Sequence, residues 1–204
     1  MEFYYIFGLQ RTGTNYLETL ISKNFHVKKA NDRVKCWKHS TFIPDHFSFE
    51  IPAFILFKNP YLWIESVAFR YSADYVRTQD YRIESDLLLG NEEICLSHLI
   101  HTYKKFYKTW HYPNLFHVIY YEDILLNPTH FLDGLNYERR TPKKGYKFPV
   151  NGTIPQSRNY DEESRTYYVR QKPIYLKPQH IHYINYVLGE DFFHETGYRS
   201  ILHK

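Results

Sequence analysis

One segment, Gly8 to Asn15 with the sequence GLQRTGTN, constrains this chain more than any other. An apolar, aromatic run from Phe3 to Phe7 precedes it. A short unbroken run of this kind ending at glycine reads as a buried strand. Thr14 to Lys23 comes next, with Tyr16, Leu17, Leu20 and Ile21 at helical spacing. Strand, glycine-containing turn and helix together open a βα unit. Gly8 and Gly13 suit a backbone that turns sharply and approaches a ligand closely, while the helix start offers N–H groups and a positive dipole end. Arg11 adds a bidentate cationic fork, and Thr12 and Thr14 add hydroxyl donors. The segment therefore reads as a phosphate-binding loop.

The two residues after the second glycine narrow the ligand. A nucleoside-triphosphate loop places Lys and then Ser or Thr there; this chain has Thr14 and Asn15. The lysine that reaches β- and γ-phosphates and the hydroxyl that holds magnesium are both missing. The loop suits a short 5′ group with no γ-phosphate and no required metal.

The remaining chain alternates strands and helices. Strands are expected at Val34 to Trp37, Ala53 to Phe57 and Leu115 to Tyr121. The AFILF run lacks alternation, as in a central strand covered on both faces. Helices are expected at Tyr61 to Tyr71, Asn91 to Trp110, Pro128 to Leu135 and Pro178 to Leu188. Thr78 to Gly90 reads as a polar loop, and Arg139 to Arg165, rich in Pro, Gly, Lys, Asn and Ser, as a functional loop or lid. The pattern implies an α/β fold, three-layered with a mainly parallel central sheet.

A length of 204 residues supports one full core, so a single domain is expected over 1–204. The 21 Tyr and 15 Phe serve either that core or the stacking of a nucleotide base. A net charge of +4 leans toward anionic ligands but lacks the basic runs of a nucleic-acid binder. With only Cys36 and Cys95, no disulfide framework is expected, and a reducing compartment fits. The N-terminal MEFYYIFG shows no signal-peptide pattern, and no apolar run approaches the ~20 residues of a membrane span. A cytoplasmic protein without membrane or nucleic-acid partners is the expectation; its oligomeric state is not written in the sequence.

Gln10-Arg11-Thr12-Gly13-Thr14 resembles the 5′-phosphosulfate loop of the sulfotransferase family, P-K/R-S/T-G-T, whose donor is 3′-phosphoadenosine 5′-phosphosulfate (PAPS). Gln replaces Pro and Arg takes the cationic place, variants similar to those of glycan and tyrosine-protein sulfotransferases. Three further segments match in the family's order. Lys58-Asn59-Pro60 with Ser66 resembles the family's 3′-phosphate motif, Arg-Asn-Pro with a Ser eight residues after the Arg. Tyr121-Glu122-Asp123 resembles its Tyr-Glu-Asp motif, in which the Tyr lies near adenine. Lys38-His39, with Pro44 beyond, resembles the Lys-x-His of the cytosolic enzymes, one residue out of register.

The resemblance implies a P-loop-like sulfotransferase fold and PAPS-dependent sulfation of a hydroxyl or amine, with no metal. Arg11, Thr12, Gly13, Thr14 and Asn15 would hold the 5′ end, Lys58 and Ser66 the 3′-phosphate, and Tyr16 and Tyr121 the adenine. His39 would be the base, with Lys38 and Arg11 stabilising charge; Glu18 and Glu65 are reserve bases. Lys143-Lys144-Gly145, Arg158 and Arg165 compete for the family's late basic loop. Ile184-Asn185 and Thr196-Gly197-Tyr198 resemble the family's closing segment, and His180 and His182 are read as surface residues. The acceptor is a small molecule or a glycan. A P-loop nucleotide or small-molecule kinase, and a sulfotransferase-like module that binds without turnover, are the alternatives.

Overall fold

The computed structural model describes residues 2–31, 37–71, 96–141, 145–149, 162–170 and 174–201. The expectation of a single domain meets two compact units interleaved in sequence: Met1–Lys58 with Trp110–Lys172, and Asn59–Thr109 with Pro173–Lys204.

The first unit is an α/β layer structure. β1 (Glu2–Phe7), β2 (Val27–Lys29), β3 (Ala53–Phe57) and β4 (His117–Tyr120) form a four-stranded, all-parallel sheet in the order β2-β1-β3-β4. Helix α1 (Thr14–Asn24) connects β1 to β2. All five residues of β3 are buried, as its apolar run requires. Alternate residues of each strand face one side. Tyr4 and Ile6, Phe54 and Leu56, and Ile119 pack with Tyr16, Leu17, Leu20 and Ile21 of α1. On the opposite face Tyr5 meets Phe47 at 4.8 Å between ring centroids, and Phe7 stacks on Trp110 at 4.3 Å. Burying each such side chain contributes about 1.5–3 kcal/mol.

Helices α4 (Tyr121–Leu126) and α5 (Pro128–Asp133) come directly after β4, and Ile124, Leu125 and Leu132 complete the α1 side of the core. Glu122 and Asp123 fall in the first turn of α4, where burial raises the Asp123 carboxyl above its ordinary value.

The strand expected at Val34 to Trp37 lies almost wholly outside the described residues. Residues 32–36 lie outside the described residues, Trp37 is not in a strand, and β2 is Val27–Lys29. Asn31 takes over where β2 ends: its side-chain oxygen accepts the Ile6 N–H at 2.9 Å, and its amide donates to the Ile6 carbonyl at 3.0 Å. A side chain thus continues the β1 ladder for one more residue.

The second unit is helical among the described residues: α2 (Pro60–Tyr71), α3 (Leu96–Trp110, whose last residue falls in the first unit), α7 (Pro178–Leu188) and α8 (Glu190–Thr196). Trp63, Tyr103 and Phe192 pack in series, with centroids 5.1 and 5.8 Å apart. Asn185 accepts a hydrogen bond from the Tyr61 hydroxyl and donates to the Ile201 carbonyl at 3.0 Å, pinning the chain end. Burial raises the Tyr61 phenol above its ordinary range. His180, expected at the surface, is fully buried; it accepts the Lys177 N–H in the capping box of α7, and that backbone bond accounts for its position. His182 is exposed.

The expected loop Thr78 to Gly90 lies outside the described residues, as do residues 91–95 of the helix expected at Asn91 to Trp110. Most of the 139–165 loop does too, but its last residues are helical, in α6 (Glu162–Arg170). Among the described residues no helix is long and apolar enough to cross a membrane.

Candidate phosphate-binding site

The loop between β1 and α1 lies at the carboxyl end of the sheet. Chain order reverses there, because β1 has β2 on one side and β3 on the other. In open parallel sheets this switch point is where ligands bind.

Packing sets the loop's shape. A Cβ at Gly8 would lie 2.6 Å from Thr12 Oγ1 and 2.8 Å from Thr14 Cγ2. Thr12 is buried, and its hydroxyl donates to the Leu9 carbonyl at 2.7 Å, closing the turn on itself. Gly13 precedes α1 at φ +94, and a Cβ there would lie 2.3 Å from the Tyr121 ring. Arg11 holds a left-handed backbone at φ +68, a conformation that costs a non-glycine residue about 1–3 kcal/mol. The first helical bond of α1 joins the Leu17 N–H to the Gly13 carbonyl at 3.1 Å, so the N–H groups of Thr14, Asn15 and Tyr16 stand outside the helical ladder.

The segment after residue 36 docks on the loop through backbone and side chain together. The Gly8 N–H donates to the Lys38 carbonyl at 2.9 Å, and His39 Nδ1 meets the Gly8 carbonyl at 2.5 Å. A carbonyl only accepts, so Nδ1 carries the proton and Nε2 presents a lone pair. Desolvation by burial lowers the His39 pKa from its ordinary value; the Gly8 bond opposes the shift and the Lys38 charge adds to it. Lys38 sends its ammonium to Asn15 Oδ1 and lies 3.5 Å from Glu18, which Lys29 also binds at 2.8 Å. Glu18, a reserve base, is thus held between two lysines. Glu65, the other, is buried in the second unit and accepts the Tyr175 N–H.

Lys58, at the end of β3, is buried. Its Nζ donates to the Arg11 carbonyl at 3.3 Å and lies 5.5 Å from the centre of the Tyr121 ring. Tyr121 therefore floors the loop beneath Gly13. Tyr16, expected to stack on adenine, is buried in the core and meets Tyr121 edge-on at 6.2 Å. The first unit thus brings Arg11, Thr12, Gly13, Thr14, Asn15, Lys38, His39, Lys58 and Tyr121 to one place. Ser66 lies on α2 in the second unit.

Of the late basic residues, Arg158, Lys143 and Lys144 lie outside the described residues. Arg165 is on α6, with Nε buried and no hydrogen-bond partner among the described residues. The described part of the 139–149 stretch is tied to the other end of α1: Asn24 exchanges hydrogen bonds with the Lys147 backbone at 2.7 and 2.8 Å, and Arg140 Nε donates to the Ser22 and Phe25 carbonyls. An 11-residue helix is ~16 Å long, so this anchor stands well away from the β1–α1 loop. Nothing in the sequence pattern singles out Asn24 or Arg140 for this role.

Among the described residues no group of three or more His, Cys, Asp or Glu is placed to hold a metal ion. No family model, no curated protein and no solved structure matches the chain.

Proposed function

We propose that this protein is a PAPS-dependent sulfotransferase, transferring a sulfuryl group to a hydroxyl or amine of an acceptor, with carbohydrate hydroxyls the first to try. The observation that carries the proposal is His39 bonded through Nδ1 to the Gly8 carbonyl, with Nε2 as a lone pair beside a phosphate-type loop. A lone pair of lowered basicity is neutral near pH 7 and can take the acceptor proton. The loop sequence that resembles the 5′-phosphosulfate motif, and the absence of the lysine a γ-phosphate requires, favour sulfuryl over phosphoryl transfer.

In the proposed step Nε2 of His39 takes the acceptor proton, a bond forms from the acceptor atom to sulfur, and the bond from sulfur to the 5′-phosphate oxygen breaks. Adenosine 3′,5′-bisphosphate leaves. Arg11, Lys38 and the N–H groups at the start of α1 stabilise negative charge on the sulfuryl and leaving oxygens.

The test is transfer from 35S-labelled PAPS to a panel of sugars, glycans, phenols and amines, with His39→Ala beside the wild type. Labelled product from the wild type, lost in the variant, supports the proposal. Magnesium-dependent phosphate transfer from ATP by the pure protein would replace it with a kinase. Donor binding without transfer to any acceptor would replace it with a binding module.

A further inference from the structure

The loop lacks a lysine of its own after Gly13, yet a lysine reaches it from the neighbouring strand. Lys58 leaves the end of β3, is 3% exposed, and directs Nζ to the carbonyl of Arg11, the residue held at positive φ. The Tyr121 ring that this ammonium faces is the one against which Gly13 packs. Lys58, Arg11, Gly13 and Tyr121 form one contact set under the turn. The ammonium thus stands under the turn that precedes α1, where the 5′ group of a nucleotide would sit.

We infer that Lys58 serves the 5′ end of the donor, supplying from β3 the cation that the loop lacks at Thr14, and that it is not the 3′-phosphate anchor its sequence position suggests. The inference rests on the nucleotide reading of the loop. An ammonium carries three donors, and one of them goes to the Arg11 carbonyl. This bond fixes both the ammonium and the strained peptide, and places positive charge at the base of the cradle. A 5′-phosphate would feel that charge whether or not the ribose carries a 3′-phosphate.

Calorimetric binding of adenosine 3′,5′-bisphosphate and of adenosine 5′-monophosphate separates the two roles. It is measured on the wild type, Lys58→Met and Lys58→Arg, each checked for folding by circular dichroism. If Lys58 serves the 5′ end, Lys58→Met weakens both ligands by the same factor, about tenfold or more for a lost charge-assisted bond. The ratio of the two affinities then stays at its wild-type value. Lys58→Arg puts a larger guanidinium in the buried space under the turn and changes both affinities by one factor, whereas a change confined to the 3′,5′-bisphosphate overturns the inference, so it decides the matter if the Met variant does not fold. Selective weakening of the 3′,5′-bisphosphate overturns the inference and restores Lys58 to the 3′-phosphate. Unchanged binding of both ligands overturns it as well. A wild type that binds neither nucleotide removes the inference together with the proposed function.

Discussion

Gly13→Ala tests the idea that the loop is built against Tyr121. The backbone at this position has φ +94, and an added Cβ would lie 2.3 and 2.4 Å from two atoms of the Tyr121 ring. Two costs combine. A left-handed conformation costs an L-residue about 1–2 kcal/mol, and forcing a methyl into a packed contact costs about 1–3 kcal/mol. The ring cannot swing away freely, because Tyr121 is 7% exposed and starts α4 within the core. The sum, about 2–5 kcal/mol, is a large part of the ~5–15 kcal/mol that holds a typical domain together. Urea denaturation followed by circular dichroism reads it as a shift in midpoint at constant slope. A double-mutant cycle with Tyr121→Ala separates the terms: removing the ring relieves the clash but not the backbone strain, so the pair should be coupled by about 1–3 kcal/mol. A loss below about 1 kcal/mol for Gly13→Ala, with no coupling to Tyr121, would refute this packing.

Four other outcomes are expected. With His39 as base, the acid limb of kcat/KM against pH falls below the ordinary value of 6.5, because burial lowers its pKa, and activity rises with pH through that limb. His39→Ala removes the limb and costs about 10²–10⁴-fold in rate, whereas Glu18→Gln keeps it; loss of the limb in Glu18→Gln instead would move the base to Glu18. The same shift makes the unfolded chain take up the proton first, so His39 costs stability as pH falls from 6.5 toward its folded value, and a urea titration on wild type and His39→Ala reads the difference. Asn31→Ala strips both bonds from the Ile6 backbone and should cost about 2–4 kcal/mol by the same denaturation assay; a change below about 0.5 kcal/mol would mean the ladder does not need this side chain. Tyr5→Phe removes a fully buried hydroxyl that has no hydrogen-bond partner among the described residues, so its melting temperature should hold or rise; a fall of several degrees would reveal a partner.

The α/β class and the glycine turn between β1 and α1 are legible in the sequence because both are local. An apolar run of five residues and a helical period of apolar positions announce β3 and α1 at their observed places, Ala53–Phe57 and Thr14–Asn24. β2 is not legible. Val27–Lys29 is three residues with two lysines, and it becomes a strand only because β1 offers it an open edge that Asn31 then extends. His180 shows the same limit from the other side: a polar residue on an amphipathic helix reads as solvated until a backbone N–H from Lys177 needs it.

Lys38 and His39 show the same limit, because tertiary bonding sends the two neighbours different ways. Spacing along the chain leaves open where two adjacent side chains go. The Gly8 backbone fixes both, because its N–H holds the Lys38 carbonyl and its C=O holds the His39 ring. With the peptide fixed at both points the neighbours part company: Lys38 goes to Asn15 and Glu18 at the first turns of α1, and His39 stays against the end of β1. A charged residue and a neutral base are thereby set on two sides of one loop, and a single glycine supplies both contacts. Any side chain at position 8 would collide with Thr12 and Thr14, so the glycine that lets the loop close also holds the His39 ring against it.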